Sequence, residues 1–265
     1  MKYIFVLFIC LLHITGNTQN SFQPKQEDPE FKGIIYRKEN TGVGAFHTNG
    51  YYMAYHRGKI KTYYKTIYSS FEIGYVKDPR EYKQNRNIPL SVNKISRSFR
   101  FGKQNQIFVL RAAKGQKKLF TDKAKRKGLA LGYNAQIGPS IALVKPYYLE
   151  LIYQTPVDNT ILVELKEEKY SEENADKFLD YNSVFGGAGF WKGINEISII
   201  PGIQSKLGLF FSPGAFEEFA KSIEIGIMAD IYVKKVPVMV ETESVSNKSY
   251  FINFYVNFEF GKRSN

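Results

Sequence analysis

The segment from Tyr250 to Phe260 constrains this chain more than any other. Tyr250, Ile252, Phe254, Val256, Phe258 and Phe260 fall at even positions, and Phe251, Asn253, Tyr255, Asn257 and Glu259 lie between them. Successive side chains of a strand point to opposite faces, so one face is wholly apolar and aromatic while the other carries amides and a carboxylate. A wall with lipid outside and a polar lumen inside requires that split, and an aromatic ending near the C-terminus is how an outer-membrane barrel closes.

The same two-residue period recurs upstream. Between Lys127 and Lys145, Leu129, Leu131, Tyr133, Ile137, Ile141 and Leu143 alternate with Gly128, Gly132, Asn134, Gln136, Gly138 and Ser140. Small inward residues suit a barrel whose interior is only just wide enough to be filled by side chains. From Ser222 to Lys234, Ile223, Ile225, Ile227 and Ile231 face outward and Glu224 and Asp230 inward. Thr62 to Lys77 and Gly202 to Phe211 repeat the pattern less cleanly. Phe31 to Asn40, Thr41 to Arg57 and Gln104 to Lys114 complete eight strands, an even number as single-chain bacterial barrels require.

The expected fold is therefore all-β, a small antiparallel transmembrane β-barrel of eight strands. Short links at 58–61, 115–126 and 212–219 fall on one side, and long outer loops at about 78–103 and 146–196 on the other, as barrel topology favours; a short outward link around Thr41 and Gly42 and an intermediate one at 235–248 are the exceptions. A seven-stranded soluble sandwich is the alternative, since a mean hydropathy of −0.31 fits both folds.

The N-terminus agrees with the membrane placement. Lys2 precedes an apolar run from Tyr3 to Leu12, followed by polar Thr15 to Asn20. Residues 1–20 read as a cleaved secretory signal and 21–265 as one barrel domain. The run is too short for a membrane helix of roughly 20 residues. Cys10, preceded by bulky Ile9, does not fit a lipoprotein signal, and its removal would leave no thiol in the mature chain.

Removal of Lys2 would lower the formal charge from +12 to +11. Basic residues gather at Arg57, Lys59 and Lys61 and again from Lys114 to Lys127. Of these, Lys117, Lys118, Lys125 and Arg126 are candidates for contact with anionic lipid headgroups; the plainer reading is a solvated polar rim. No nucleic-acid-reading module accompanies the charge, so nucleic acid is not an expected partner.

The long segment 146–196 carries an acidic run from Glu164 to Asp180 and then Phe185-Gly186-Gly187-Ala188-Gly189-Phe190-Trp191. Phe185, Phe190 and Trp191 are candidate anchors for a protein partner, against the plainer reading that they pack on the barrel rim. The glycines lack the Lys-Ser/Thr of a phosphate loop, and the acidic spacing matches no calcium loop. No cofactor, metal or catalytic residue is expected.

His47 and His56, the two histidines beyond the signal, are nine residues apart. On one regular strand that places them on opposite faces and about 30 Å from each other, which argues against a shared catalytic or zinc site. Glu72, Arg111, Lys206, Glu224, Asp230 and Glu259 are all expected to face inward, where opposite charges would pair and plug an eight-stranded lumen.

Several runs carry a resemblance: Ile34-Ile35-Tyr36-Arg37-Lys38-Glu39-Asn40-Thr41-Gly42, His47-Thr48-Asn49-Gly50, Lys234-Lys235-Val236-Pro237-Val238-Met239, and the ending Phe258-Glu259-Phe260-Gly261-Lys262-Arg263. Together they resemble an uncharacterised family of outer-membrane β-barrel proteins from Bacteroidota, over nearly the whole mature chain. Tyr51 stands where members commonly carry Trp. The resemblance implies an outer-membrane location and a small barrel, with no activity to carry over. The functional expectation is a non-enzymatic accessory subunit of an outer-membrane assembly or secretion complex, with outer-membrane lipid and other outer-membrane proteins as partners. A free-standing structural or lipid-binding barrel is the alternative, and a lipid-modifying enzyme a distant third.

Overall fold

The computed structural model describes residues 36–62, 64–86, 95–120, 129–157, 160–213, 218–243 and 246–265. The expected signal, residues 1–20, lies outside them, as do Lys125 and Arg126.

Eight antiparallel strands close into a barrel. In chain order the strands are β1 (Lys38–His47), β2 (Gly50–Thr62), β3 (Lys65–Val76), β4 (Lys83–Gln84), β5 (Phe99–Arg100), β6 (Asn105–Leu119), β7 (Leu129–Pro146), β8 (Tyr148–Val157), β9 (Thr160–Lys169), β10 (Val184–Gly187), β11 (Ser198–Pro213), β12 (Phe219–Tyr232) and β13 (Tyr250–Ser264). The barrel order is β1-β13-β12-β11-β7-β6-β3-β2, so each barrel strand pairs with the next along the chain, and β13 closes on β1 from Lys38↔Ser264 to His47↔Tyr255. Closure satisfies every strand edge, which no soluble sandwich achieves.

The strand count matches the sequence expectation, but several boundaries differ: residues 31–35 of the expected first strand lie outside the described residues, the expected link 58–61 lies inside β2, and 115–119 of the expected link 115–126 belong to β6. Thr41 and Gly42 are not a link; they lie inside β1, with Thr41 opposite His56 of β2. The chain turns instead at Thr48 and Asn49, between the register partners His47 and Gly50. Gly50 has φ 151°, and a Cβ there would sit 2.0 Å from the Tyr75 carbonyl oxygen. Asn49-Gly50 marks a hairpin in the sequence, although the pair spans the second loop residue and the first residue of β2 and is not itself the two-residue loop.

The segment 146–196 is not an open loop. Only Tyr147 separates β7 from β8, and β10, β8 and β9 form a three-stranded sheet with short helical turns at Glu172–Asn174 and Ala175–Phe178. This cap has its own core of Phe99, Tyr147, Leu149, Leu151, Phe178, Val184 and Val240. Apolar burial of that kind orders a connection this long, which a solvated loop could not do.

Candidate functional site

The lumen is filled by two ionic layers with an aromatic and amide layer between them. Nearer the cap, Arg111 of β6 donates from Nε and Nη2 to the two carboxylate oxygens of Asp230 on β12, each at 2.8 Å. Beside it, Lys206 of β11 donates to both oxygens of Glu72 on β3 at 2.8 and 2.6 Å, and Gln136 donates to Glu72 at 2.6 Å. Two cations thus face two carboxylates, which offsets much of the desolvation of each.

Toward the opposite end, Lys117 of β6 donates to both oxygens of Glu259 on β13 at 2.6 and 2.7 Å, and Arg263 donates to Glu39 at 2.7 Å. Thr41 and Ser222 also donate to Glu259, and His56 Nδ1 lies 3.3 Å from it. Between the layers, Glu224 accepts from Asn134 and from Tyr255, while Tyr68 donates to Asn134 and Tyr52 to Asn257. Glu72, Arg111, Lys206, Glu224, Asp230 and Glu259, all assigned inward from parity, are all buried.

Glycines make room for the lumen aromatics. Tyr52 is the direct register partner of Gly74, Tyr68 of Gly115, Phe210 of Gly132 and Tyr255 of Gly226. In each pair a Cβ on the glycine would fall within 3 Å of the facing aromatic residue. Inward glycines of β3, β6, β7 and β12 are therefore one half of an interlock: the missing Cβ leaves space for the facing aromatic side chain.

Above the inner ionic layer, the mouth is closed by apolar side chains. Val236, Val238 and Met239 pack with Val76, Ile107, Val109, Ala142, Val144, Ile200 and Tyr232. The crossing segment is pinned from both sides: the amides of Gln104 and Asn105 donate to the Val238 carbonyl at 3.0 and 3.1 Å, and the Asn247 side chain bridges Val238 and Met239. At the mouth, fully buried Lys103 donates to Glu81 at 2.5 Å and to the Tyr75 hydroxyl at 3.1 Å. Burial lowers its pKa to about 8, against the pull of Glu81 in the other direction.

The outer wall is the reverse of the lumen. Phe254 is 65 % exposed, Leu207 63 % and Phe71 62 %, within an apolar surface that runs over neighbouring strands. A contiguous surface of that kind is foreign to a water-soluble monomer. On the wall's far end from the cap, the exposed apolar residues are joined by Lys38, Arg57, Lys59, Lys114, Lys118 and Lys221.

Several candidates from the sequence move. Lys117, grouped with Lys118 as a headgroup contact, points into the lumen and is committed to Glu259; Lys118 stays outside. The parity of β6 separates the two. Phe185, grouped with Phe190 and Trp191 as a docking anchor, is fully buried in the cap, whereas Phe190 and Trp191 are exposed. The acidic run is largely engaged within the cap, Glu167 with Lys192 at 3.0 Å and Glu168 with Tyr153 and Asn174.

The histidines do not lie on opposite faces. The turn at Thr48 and Asn49 puts His47 on β1 and His56 on β2, both inward and both buried. Since His56 is opposite Thr41, six residues from His47, they remain roughly 20 Å apart along the wall. Around His56 the Thr41 and Ser222 hydroxyls donate to Glu259 and not to the imidazole, so the hydroxyl-to-base order of a nucleophilic triad is missing there. Among the described residues, no group of three or more His, Cys, Asp or Glu side chains is placed to hold a metal ion, and no helix is long and apolar enough to cross a membrane.

The fold and its two faces define a closed eight-stranded antiparallel barrel with a side-chain-filled lumen and an apolar outer wall. In comparison with known proteins, the chain matches no protein family, no curated protein and no solved structure.

Proposed function

We propose that this protein is an integral barrel of a Gram-negative outer membrane that serves, without enzymatic activity, as an accessory subunit of a protein-assembly or secretion complex. The observation that carries the reading is the inversion of the barrel, polar and ion-paired inside and apolar outside, beneath a separately folded cap. Outward apolar residues on β13 run from Tyr250 to Phe260. Ten rises of about 3.3 Å, at the tilt of about 40° common to such barrels, give a band of about 25 Å, the height of a bilayer's apolar zone. The ionic layers leave the lumen to side chains, so the barrel works as an anchor and not as a pore.

The cap supplies the part that would meet a partner. Among the described residues β9 is an edge strand of its sheet, paired to β8 alone, and Leu162 on it is 59 % exposed. An edge strand offers unpaired backbone groups, and strand addition is a common mode of protein recognition. Gentle detergent extraction of the tagged protein from native outer membranes, followed by native mass measurement, tests this. A stoichiometric protein partner that is lost on Leu162→Asp supports the subunit reading; a lone barrel retaining lipid opposes it.

A free-standing lipid-binding barrel is the second reading, favoured by the exposed basic residues at the end of the wall opposite the cap, where Lys114 and Lys118 follow Leu110 outward on β6. Anionic headgroups would meet them there.

A further inference from the structure

Trp191, the one tryptophan in the chain, is 75 % exposed, and it sits at the tip of a turn. The Lys192 amide donates to the Gly189 carbonyl at 3.1 Å, so Phe190 and Trp191 are the two central residues of a β-turn. The turn is held from behind. Gly193 has φ 77° and lies against the Tyr148 ring, and Tyr148 donates to Glu196 at 2.6 Å.

The turn does not stand free of the barrel. Tyr51, Tyr75 and Phe108 are successive register partners on the outward face of β2, β3 and β6, with ring centroids 5.8 and 5.5 Å apart. Phe190 continues the row edge-on against Phe108 at 6.2 Å, and Trp191 stands edge-on to Phe190 at 5.4 Å. The ammonium of Lys145, on barrel strand β7, lies 5.2 Å from the Phe190 ring centroid, a favourable cation–π contact. Five rings thus run without a break from the barrel wall onto the cap.

We infer that the Phe190-Trp191 turn is a membrane-interface anchor, in which the cap sets Trp191 into the headgroup region of the same leaflet that the upper barrel wall meets, so its partner is lipid and not protein. The inference rests on the outer-membrane reading of the barrel. Its warrant is continuity: the row it extends lies at the cap end of the apolar wall, and the amphipathic indole and phenol rings favour the boundary between hydrocarbon and water. A turn with two large aromatic residues at its exposed tip is costly in water and is favoured where one side is apolar.

The single tryptophan gives a direct test. The full-length protein is reconstituted into phosphatidylcholine vesicles carrying a nitroxide either near the glycerol or near the acyl terminus, and tryptophan quenching is compared. A second protein, Trp191→Phe with Phe254→Trp, moves the reporter to the outward face of β13. The anchor is supported when Trp191 is quenched at least twofold more by the shallow nitroxide than by the deep one while the Phe254→Trp reporter shows the deeper preference. Deep quenching at position 254 with Trp191 unquenched and open to aqueous iodide overturns the anchor and leaves the barrel reading intact. Absence of quenching at both positions overturns both.

Discussion

Arg111 and Asp230 face each other across the barrel, 119 positions apart in the chain, joined by two parallel hydrogen bonds of 2.8 Å with side chains 0 % and 1 % exposed. A guanidinium and a carboxylate matched fork to fork satisfy donors and acceptors together. Removing one partner leaves the other charge buried, and Glu72 at 3.8 Å is too distant to replace the bidentate pair. Asp230→Ala is expected to cost about 3–5 kcal/mol in urea unfolding of the detergent-folded protein. Arg111→Met with Asp230→Leu should recover most of it, because no charge is then stranded. An Asp230→Ala variant as stable as the parent would refute the pairing.

Lys117 and Lys118 are sequence neighbours on opposite faces of the wall. With Lys117 held by Glu259 and Lys118 exposed, a water-soluble amine-reactive ester applied to the folded protein in detergent should modify Lys118 and spare Lys117. Peptide mapping reads both sites in one digest. Equal labelling would place Lys117 outside the lumen and void the inner ion pair.

Gly226 and Gly44 make a matched pair for the interlock. A Cβ on Gly226 would meet the Leu207 carbonyl oxygen at 2.3 Å and the Tyr255 ring at 2.8 Å, whereas nothing lies within 4 Å of one on Gly44. Gly226→Ala should destabilise by about 1–3 kcal/mol through overpacking. Gly44→Ala should be neutral or stabilise by up to about 1 kcal/mol through the unfolded chain. Denaturation midpoints of the two variants, each against the parent, decide the point.

Lys103 makes the cap's stability depend on pH. Its pKa falls from 10.5 to about 8 on folding, so between those values the unfolded chain binds more protons and stability rises with pH. The penalty is full below about 8 and relieved toward 10. Protection of the Leu149 and Leu151 amides from exchange, corrected for the intrinsic rate, should increase from pH 7.5 to 9.5. In Lys103→Met the trend should vanish, with Glu81 still held by Arg100 at 3.2 Å. Above about 10 the burial-raised pKa of Tyr147 acts in the opposite sense, since the folded cap keeps a proton the unfolded chain loses.

Much of the barrel was legible because parity is a local signal. Glu224, Asp230 and Glu259 were placed inward from their neighbours alone, and the structure buries all three. The Thr41-Gly42 pair misled because it has turn composition, yet both residues fit β1 once β13 and β2 flank it. The cap was hidden for a different reason: Leu149, Leu151, Phe178 and Val184 become a core only when Phe99 and Val240, from two other connections, come to lie beside them. Phe185 and Trp191 share one short motif and end with opposite fates, one buried and one at a turn tip, which composition could not separate.

The sequence by itself determined the strand alternation and the sign of each face, since a side chain's direction in a strand follows from its position along the chain. Only the tertiary structure decided that Arg111 meets Asp230, that Lys117 meets Glu259, that Tyr255 lies over Gly226, and that three connections condense into one cap. Those are relations across space between residues far apart in the chain, fixed by strand register and barrel closure.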